Sequence, residues 1–139
     1  MYVKQGDLFW GMSKDFVKEA MDNATKLSYE EGDVLFKAGD SAAHFYVLIK
    51  GRVMLSIGET GPTVYIARNA GELIGWSSLI GRDSFTAAAK CVEPTNLLKI
   101  DRDSFLASLS KDDANGVILF KRLAETLGNR LLEVYPSVT

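Results

Sequence analysis

The 139-residue sequence is poor in the residues that build most metal and nucleophile sites: it holds one cysteine, Cys91, and one histidine, His44. A single cysteine excludes an intramolecular disulfide. One histidine with one cysteine falls short of the three or four nitrogen and sulfur ligands that zinc takes at close spacing. No EF-hand loop offers an all-oxygen calcium site. A serine or cysteine nucleophile would have to recruit that same His44 as its base, so no catalytic residue, no metal and no cofactor is expected, and the chain reads as a non-enzyme. Net positive charge is also lacking, since sixteen Lys and Arg against eighteen Asp and Glu leave -2. That balance gives no field to hold a polyanion, so neither nucleic acid nor a membrane surface is expected as a direct partner. There is no apolar run of about 18 residues and no basic-then-apolar leader, and the expected location is cytoplasmic. What remains is ordinary globular composition, 47% hydrophobic and 24% charged, at a length that suits one domain over residues 1–139.

The chain divides by periodicity. Ser13 can cap a first helix over 13–23, in which Phe16, Val17, Ala20 and Met21 recur at helical spacing and Met12 can staple onto Val17. From 27 to 100 the pattern changes to short runs rich in Val, Ile, Tyr, Phe and Thr, punctuated by Gly32, Gly39, Gly51, Gly58, Gly61, Gly71, Gly75 and Gly81. The clearest strands are Asp33 to Phe36, Phe45 to Lys50, Arg52 to Ile57, Thr63 to Arg68, Phe85 to Val92 and Thr95 to Ile100, with Gly61-Pro62 turning one hairpin. Many short strands at this spacing imply a sandwich or barrel.

Helical spacing returns over 101–135. Asp101 begins a short piece with Phe105, Leu106 and Leu109 on one face, and Ser110 with Asp113 can form a capping box for a longer one. The longer helix carries Val117, Phe120, Ala124, Leu127, Leu131 and Val134 in heptad spacing. Such a seam needs something to face. It either packs along the chain's own strands, as the further apolar residues Ile118, Leu119, Leu123 and Leu132 suggest, or pairs two copies into a homodimer through 114–135. Gly128, costly inside a helix, would suit the approach of another backbone.

In the search for chemistry, His44 opens a strand and reads as an edge histidine, and Cys91 reads as a structural thiol between Lys90 and Val92. The acidic residues are scattered through turns and helix starts and form no acid/base couple. One stretch is organised differently: Gly71-Glu72-Leu73-Ile74-Gly75-Trp76-Ser77-Ser78-Leu79-Ile80, followed by Phe85-Thr86-Ala87-Ala88-Ala89. A glycine-rich turn opening a short helix presents free backbone N–H groups to an anion. Small residues on the next strand let a ligand, or merely a neighbouring element, come close.

The order of helix, strands, short helix and long helix resembles the cyclic nucleotide-binding domain family, the sensor half of catabolite-activator-type regulators, over nearly the whole chain. The resemblance is carried by Asp7-Leu8-Phe9, by Tyr29-x-x-Gly32-Asp33-Val34-Leu35-Phe36-x-x-Gly39-Asp40, by Phe45-Tyr46-Val47-Leu48-x-x-Gly51-Arg52-Val53 and by Gly71-x-x-Ile74-Gly75-Trp76-x-Ser78-Leu79-Ile80. It implies a mainly β fold with flanking helices: a double-stranded β-helix, or cupin-like jelly roll, with an N-terminal helix and a long C-terminal helix. The last of these motifs is similar to the family's phosphate-binding cassette. There, a glutamate after the glycine holds the ribose hydroxyl and an arginine nine residues later pairs the cyclic phosphate. In the ungapped register those two positions are Trp76 and Phe85. A register shorter by three residues would offer Arg82 to the phosphate instead, at the expense of the match at Thr86-Ala87-Ala88.

The resemblance therefore implies a non-catalytic regulatory module whose ligand would meet Gly75, Trp76, Ser77, Ser78, Leu79, Phe85, Thr86 and Ala87, and which binds cyclic AMP poorly. A ligand-free dimerisation or scaffold module is the other reading. After Tyr135 the chain has no room for the family's DNA-reading helix-turn-helix, so the expected partners are a small molecule, a second copy and an effector protein of unknown identity.

Overall fold

The computed structural model describes residues 9–57 and 61–138, with side chains as far as Leu132. Asp7, Leu8, Gly58 and the side chain of Val134 lie outside the described residues. Helix α1 spans Lys14–Asp22, with the Ser13 hydroxyl accepting from the Phe16 N–H at its start. Eight strands follow: β1 Thr25–Tyr29, β2 Val34–Phe36, β3 His44–Lys50, β4 Val53–Ser56, β5 Thr63–Ala67, β6 Leu73–Ile74, β7 Ala88–Cys91 and β8 Thr95–Asp101. A one-turn 3-10 helix, Trp76–Ile80, separates β6 from β7. Helix α2 covers Arg102–Leu109 and helix α3 covers Asp113–Val138.

The strands form two four-stranded antiparallel sheets, ordered β1-β8-β3-β6 and β2-β7-β4-β5, which is the jelly roll expected. Between them lies a core of Phe36, Tyr46, Leu48, Val53, Leu55, Ile74, Phe85, Cys91 and Leu97. The other face of the first sheet is covered by the helices. There Phe105 of α2 takes edge-to-face contacts from Phe9, Phe16 and Phe45 at centroid distances of 6.0, 5.6 and 5.0 Å. Strand β3 is covered on both faces, so Phe45 and Val47 go to the helices while Tyr46 and Leu48 go between the sheets. A strand buried on both faces reads as a continuous apolar run rather than an alternating one.

Four expectations need correction. Strands β1 and β6 were not among the clearest runs: β1 is an edge strand with Thr25, Lys26 and Ser28 exposed, and β6 is only two residues long. The strand expected from Phe85 starts at Ala88, because Phe85 is held in a loop. Its N–H donates to Asp40 O and its carbonyl accepts from the Gly39 N–H, both at 2.9 Å. The cap of α3 is Asp112, not Ser110 with Asp113: the Asp112 carboxylate accepts from the Asn115 N–H at 3.1 Å, while the Ser110 hydroxyl turns back to Ala107 O. Finally, α3 runs on past 135 to Val138; Pro136 removes a single donor in the last turn.

Burial shows which residues of the helix face the chain's own core. The face that α3 turns to its own core is Asn115, Leu119 and Leu123. Val117, Phe120 and Leu131 are 70%, 47% and 52% exposed, Ala124 is exposed, and Leu127 lies half-buried between the faces. A Cβ added at Gly128 would meet nothing within 4 Å.

Candidate functional site

Strand β6 leads directly into the glycine-rich stretch. Gly75 sits in the left-handed region (φ 87°, ψ 39°), and Gly81 closes the 3-10 helix in the same region with its N–H on Ser77 O. Gly75 is required twice over. Its φ disfavours any side chain, and a Cβ there would stand 3.0 Å from Phe85 Cε1. The loop at Gly39 to Ala42 pairs with 83–85 through the Ala42 N–H on Asp83 O and the Phe85 bonds above, which fixes the Phe85 ring over the start of the 3-10 helix.

That ring is buried. It stacks on Phe36 at a centroid distance of 3.7 Å and an interplanar angle of 15°, and Phe36 in turn stacks near Tyr46 at 6.0 Å. Around the stack, Phe36, Leu55, Gly75, Trp76, Ser77, Phe85, Thr86 and Ala87 line a half-open cleft of about 20 Å³. That is room for one water, whereas small-molecule pockets run to about 300–1,000 Å³. None of the residues lining it carries a charge.

The structure brings together Gly75, Trp76, Ser77, Phe85, Thr86 and Ala87 of the residues singled out from the sequence. It sends two elsewhere: the Ser78 hydroxyl donates back to Gly75 O at 3.0 Å, and Leu79 packs into the helix-side core. Ser77 and Thr86 face each other at 3.4 Å between their hydroxyl oxygens. Trp76 is half-buried and leans on the helix-side core. Arg82 is exposed beyond Gly81, its N–H on Ser77 O and its carbonyl 3.5 Å from Arg102 Nη1; it does not line the cavity.

Sequence reasoning had not singled out Phe36 and Leu55 as lining residues. It also missed a polar chain beside the site. Tyr65 Oη donates to Glu72 Oε1, Glu72 Oε2 accepts from the N–H groups of Arg68 and Asn69 at 2.8 and 2.7 Å, and Arg130 of α3 lies over the Tyr65 ring with Nη2 on Leu73 O. A basic residue on a long helix reads as solvated, so only the fold reveals it.

Elsewhere the titratable groups have structural surroundings. His44 stands opposite Asp101 in the β3–β8 ladder, Nε2 to Oδ1 3.8 Å. Burial pushes the Cys91 thiol above its ordinary range, and does the same to the Tyr46 phenol. Among the described residues, no group of three or more His, Cys, Asp or Glu could hold a metal ion, and no helix is long and apolar enough to cross a membrane.

Comparison with known proteins finds relatives of the sequence and of the fold. The chain is 29% identical over 134 residues to the cyclic AMP receptor protein of Thermus thermophilus, covering 94% of this chain and 60% of that one. The solved Thermus thermophilus catabolite activator protein superposes with a TM-score of 0.73 at 28% identity, over 94% of this chain and 61% of that one. The fold is shared too with the regulatory subunit of a cAMP-independent protein kinase A from Trypanosoma brucei, with a TM-score of 0.75, 17% identity, and coverage of 95% and 45%. The chain thus spans about three fifths of the Thermus proteins it matches. The model of the cyclic nucleotide-binding domain matches residues 26–112, well over half of the sequence, and the chain belongs to that family.

Proposed function

We propose that this domain is a non-catalytic regulatory module that has given up tight binding of cyclic AMP and reports the state of its cassette through α3. The observation that carries the reading is the Phe36–Phe85 stack beside a cleft of only about 20 Å³; in the ungapped register, that phenyl ring stands at the cassette position of the family's phosphate-pairing arginine. Replacing the ribose-holding glutamate by Trp76 and the arginine by Phe85 removes two hydrogen bonds involving charged groups. At roughly 1.5–3 kcal/mol each, that is about two to four decades of affinity. A ligand that enters must displace the Phe85 ring or stack beside it, which favours a flat, weakly polar molecule. The regulatory subunit of a Trypanosoma brucei protein kinase A described as cAMP-independent shares the fold, which supports a roll of this architecture that does not answer to cyclic AMP.

The stripe of Val117, Phe120, Ala124 and Leu131 supports a homodimer through 114–135. It continues into an apolar groove between α2 and α3 lined by Leu106, Leu109, Val117 and Phe120, a length of exposed apolar surface that monomers seldom leave open. The smallness of the cavity favours a second reading, a dimerisation or scaffold module that works with no ligand at all.

Calorimetry and thermal shift with cyclic AMP, cyclic GMP, cyclic dinucleotides and flat apolar metabolites separate these. Wild type should show no more than weak cyclic AMP binding, and the double variant Trp76→Glu, Phe85→Arg should gain affinity for a cyclic nucleotide. Tight binding by wild type would overturn the reading, no gain in the double variant would overturn the register on which it rests, and a stabilising apolar hit would exclude the scaffold.

A further inference from the structure

We infer that Arg130 is the coupling residue between α3 and the cassette: its guanidinium clamps the open edges of both sheets, and its release is the event that α3 and the cassette share. This rests on the reading that α3 reports the cassette. The two sheets end on the same side of the roll, the first in β6 and the second in β5. Among the described strands β6 pairs with β3 alone, through Tyr46 opposite Ile74 and Val47 opposite Leu73, and none of them bonds its outer side. Arg130 supplies the missing partner: Nη2 donates to Leu73 O at 2.6 Å, a short charge-assisted bond. The same guanidinium lies 4.3 Å above the centre of the Tyr65 ring on β5, a cation–π contact. Tyr65 is in turn tied to Glu72, the residue before β6. One side chain of α3 thus holds β5, β6 and the bend between them.

The position of this clamp suits a switch rather than a strut. Up to Leu123, α3 is anchored by Asn115, Leu119 and Leu123, and by Arg122 Nη2 on Trp10 O. Beyond Leu127, Leu131 and Leu132 are exposed, and Arg130 is the described residue that returns the helix to the roll. On the other side, Leu73 is three residues upstream of Trp76. The clamp is also incompletely satisfied: Arg130 Nε and Nη1 are buried with no hydrogen-bond partner among the described residues. Such buried donors carry a penalty, so the docked arrangement offsets part of what the bond to Leu73 and the stack on Tyr65 contribute. A contact weakened in this way is one that a bias at either end can shift.

The test needs no ligand, so an empty ligand screen and a failed clamp are told apart. In a Trp10→Phe background Trp76 is the sole tryptophan. There, Arg130→Met keeps most of the stem and removes the fork. Acrylamide quenching of Trp76 is expected to rise at least twofold, and amide exchange over 124–132 at least tenfold, with Leu97 to Ile100 of β8, which pairs with neither β5 nor β6, unchanged. Faster exchange in α3 with Trp76 unmoved overturns the coupling, as does no change in either, or an equal acceleration in β8, which is ordinary destabilisation. If Arg130→Met does not fold, Arg130→Lys, which keeps the charge but not the planar fork, is read by the same criteria.

Discussion

Asn115 and Ser13 exchange two hydrogen bonds across 102 residues of chain: the Ser13 N–H donates to Asn115 Oδ1 at 3.0 Å, and Asn115 Nδ2 donates to Ser13 Oγ at 3.1 Å. Asn115 also donates to the Asp112 carboxylate at 2.7 Å. The caps of α1 and α3 are therefore one network, with the buried amide at its centre. Asn115→Ala should cost about 2–3 kcal/mol, since three side-chain bonds at about 1 kcal/mol each are lost. Urea unfolding should show a lower midpoint with an unchanged slope; a loss below that expected of a single cap, about 1 kcal/mol, would mean the two caps are independent.

Truncating Phe85 tests what the aromatic stack contributes. Phe85→Ala should destabilise by about 3–5 kcal/mol, the usual range for a buried phenyl. It should also turn the small cavity into one that takes an aromatic guest, so indole or benzene should raise the melting temperature of the variant and not of wild type. A variant that loses stability and gains no response to either guest has collapsed around the gap, contrary to this expectation.

Self-association is tested best at Phe120 and Leu131, because Leu127 packs partly into its own core. Phe120→Glu with Leu131→Glu should leave a folded monomer in sedimentation, with wild type dimeric. Wild type sedimenting as a monomer at tens of micromolar, roughly the range of a weak interface, would remove the dimer.

Asp101 makes stability sensitive to acid. Its carboxylate accepts from the Ser104 N–H at 2.9 Å at the start of α2. That backbone bond first, then a bond with the Ser104 side chain and the nearby His44 and Arg102 charges, hold its pKa below the usual carboxylate value. A group with a depressed folded pKa contributes stability above its unfolded value, about 3.9, and loses it as pH falls through the lower folded one. The stability gap between wild type and Asp101→Asn should therefore hold at neutral pH and close below about pH 4. A gap that is constant down to about pH 2.5 would show that the charge has no part in the cap.

Most of the roll is legible in the sequence because β-branched and aromatic runs between glycines mark strands that bury a face. What was not legible depends on partners far along the chain. Strand β1 shows a single half-buried face over polar residues, and β6 is too short to carry a period. Phe85 follows a turn and precedes small residues, so it reads as the first residue of a strand; only its pairing with Gly39 and Asp40 pulls it out. Nor does spacing reveal that Phe36, on another strand, stacks against it. In α3 apolar residues occupy two adjacent faces, and periodicity alone does not say that Leu119 and Leu123 turn inward while Val117 and Phe120 remain outside.

The sheet edges set which kinds of molecule can join this one laterally. Strands β2 and β6 are three and two residues long, and β1 and β5 are five each. Lys26 is exposed on β1, and Arg130 lies across Tyr65 on β5. A foreign strand seeking to continue either ladder finds at most a few consecutive unpaired amides, interrupted by a cation. Peptides that recognise their targets by extending a sheet are thus poorly matched to this surface.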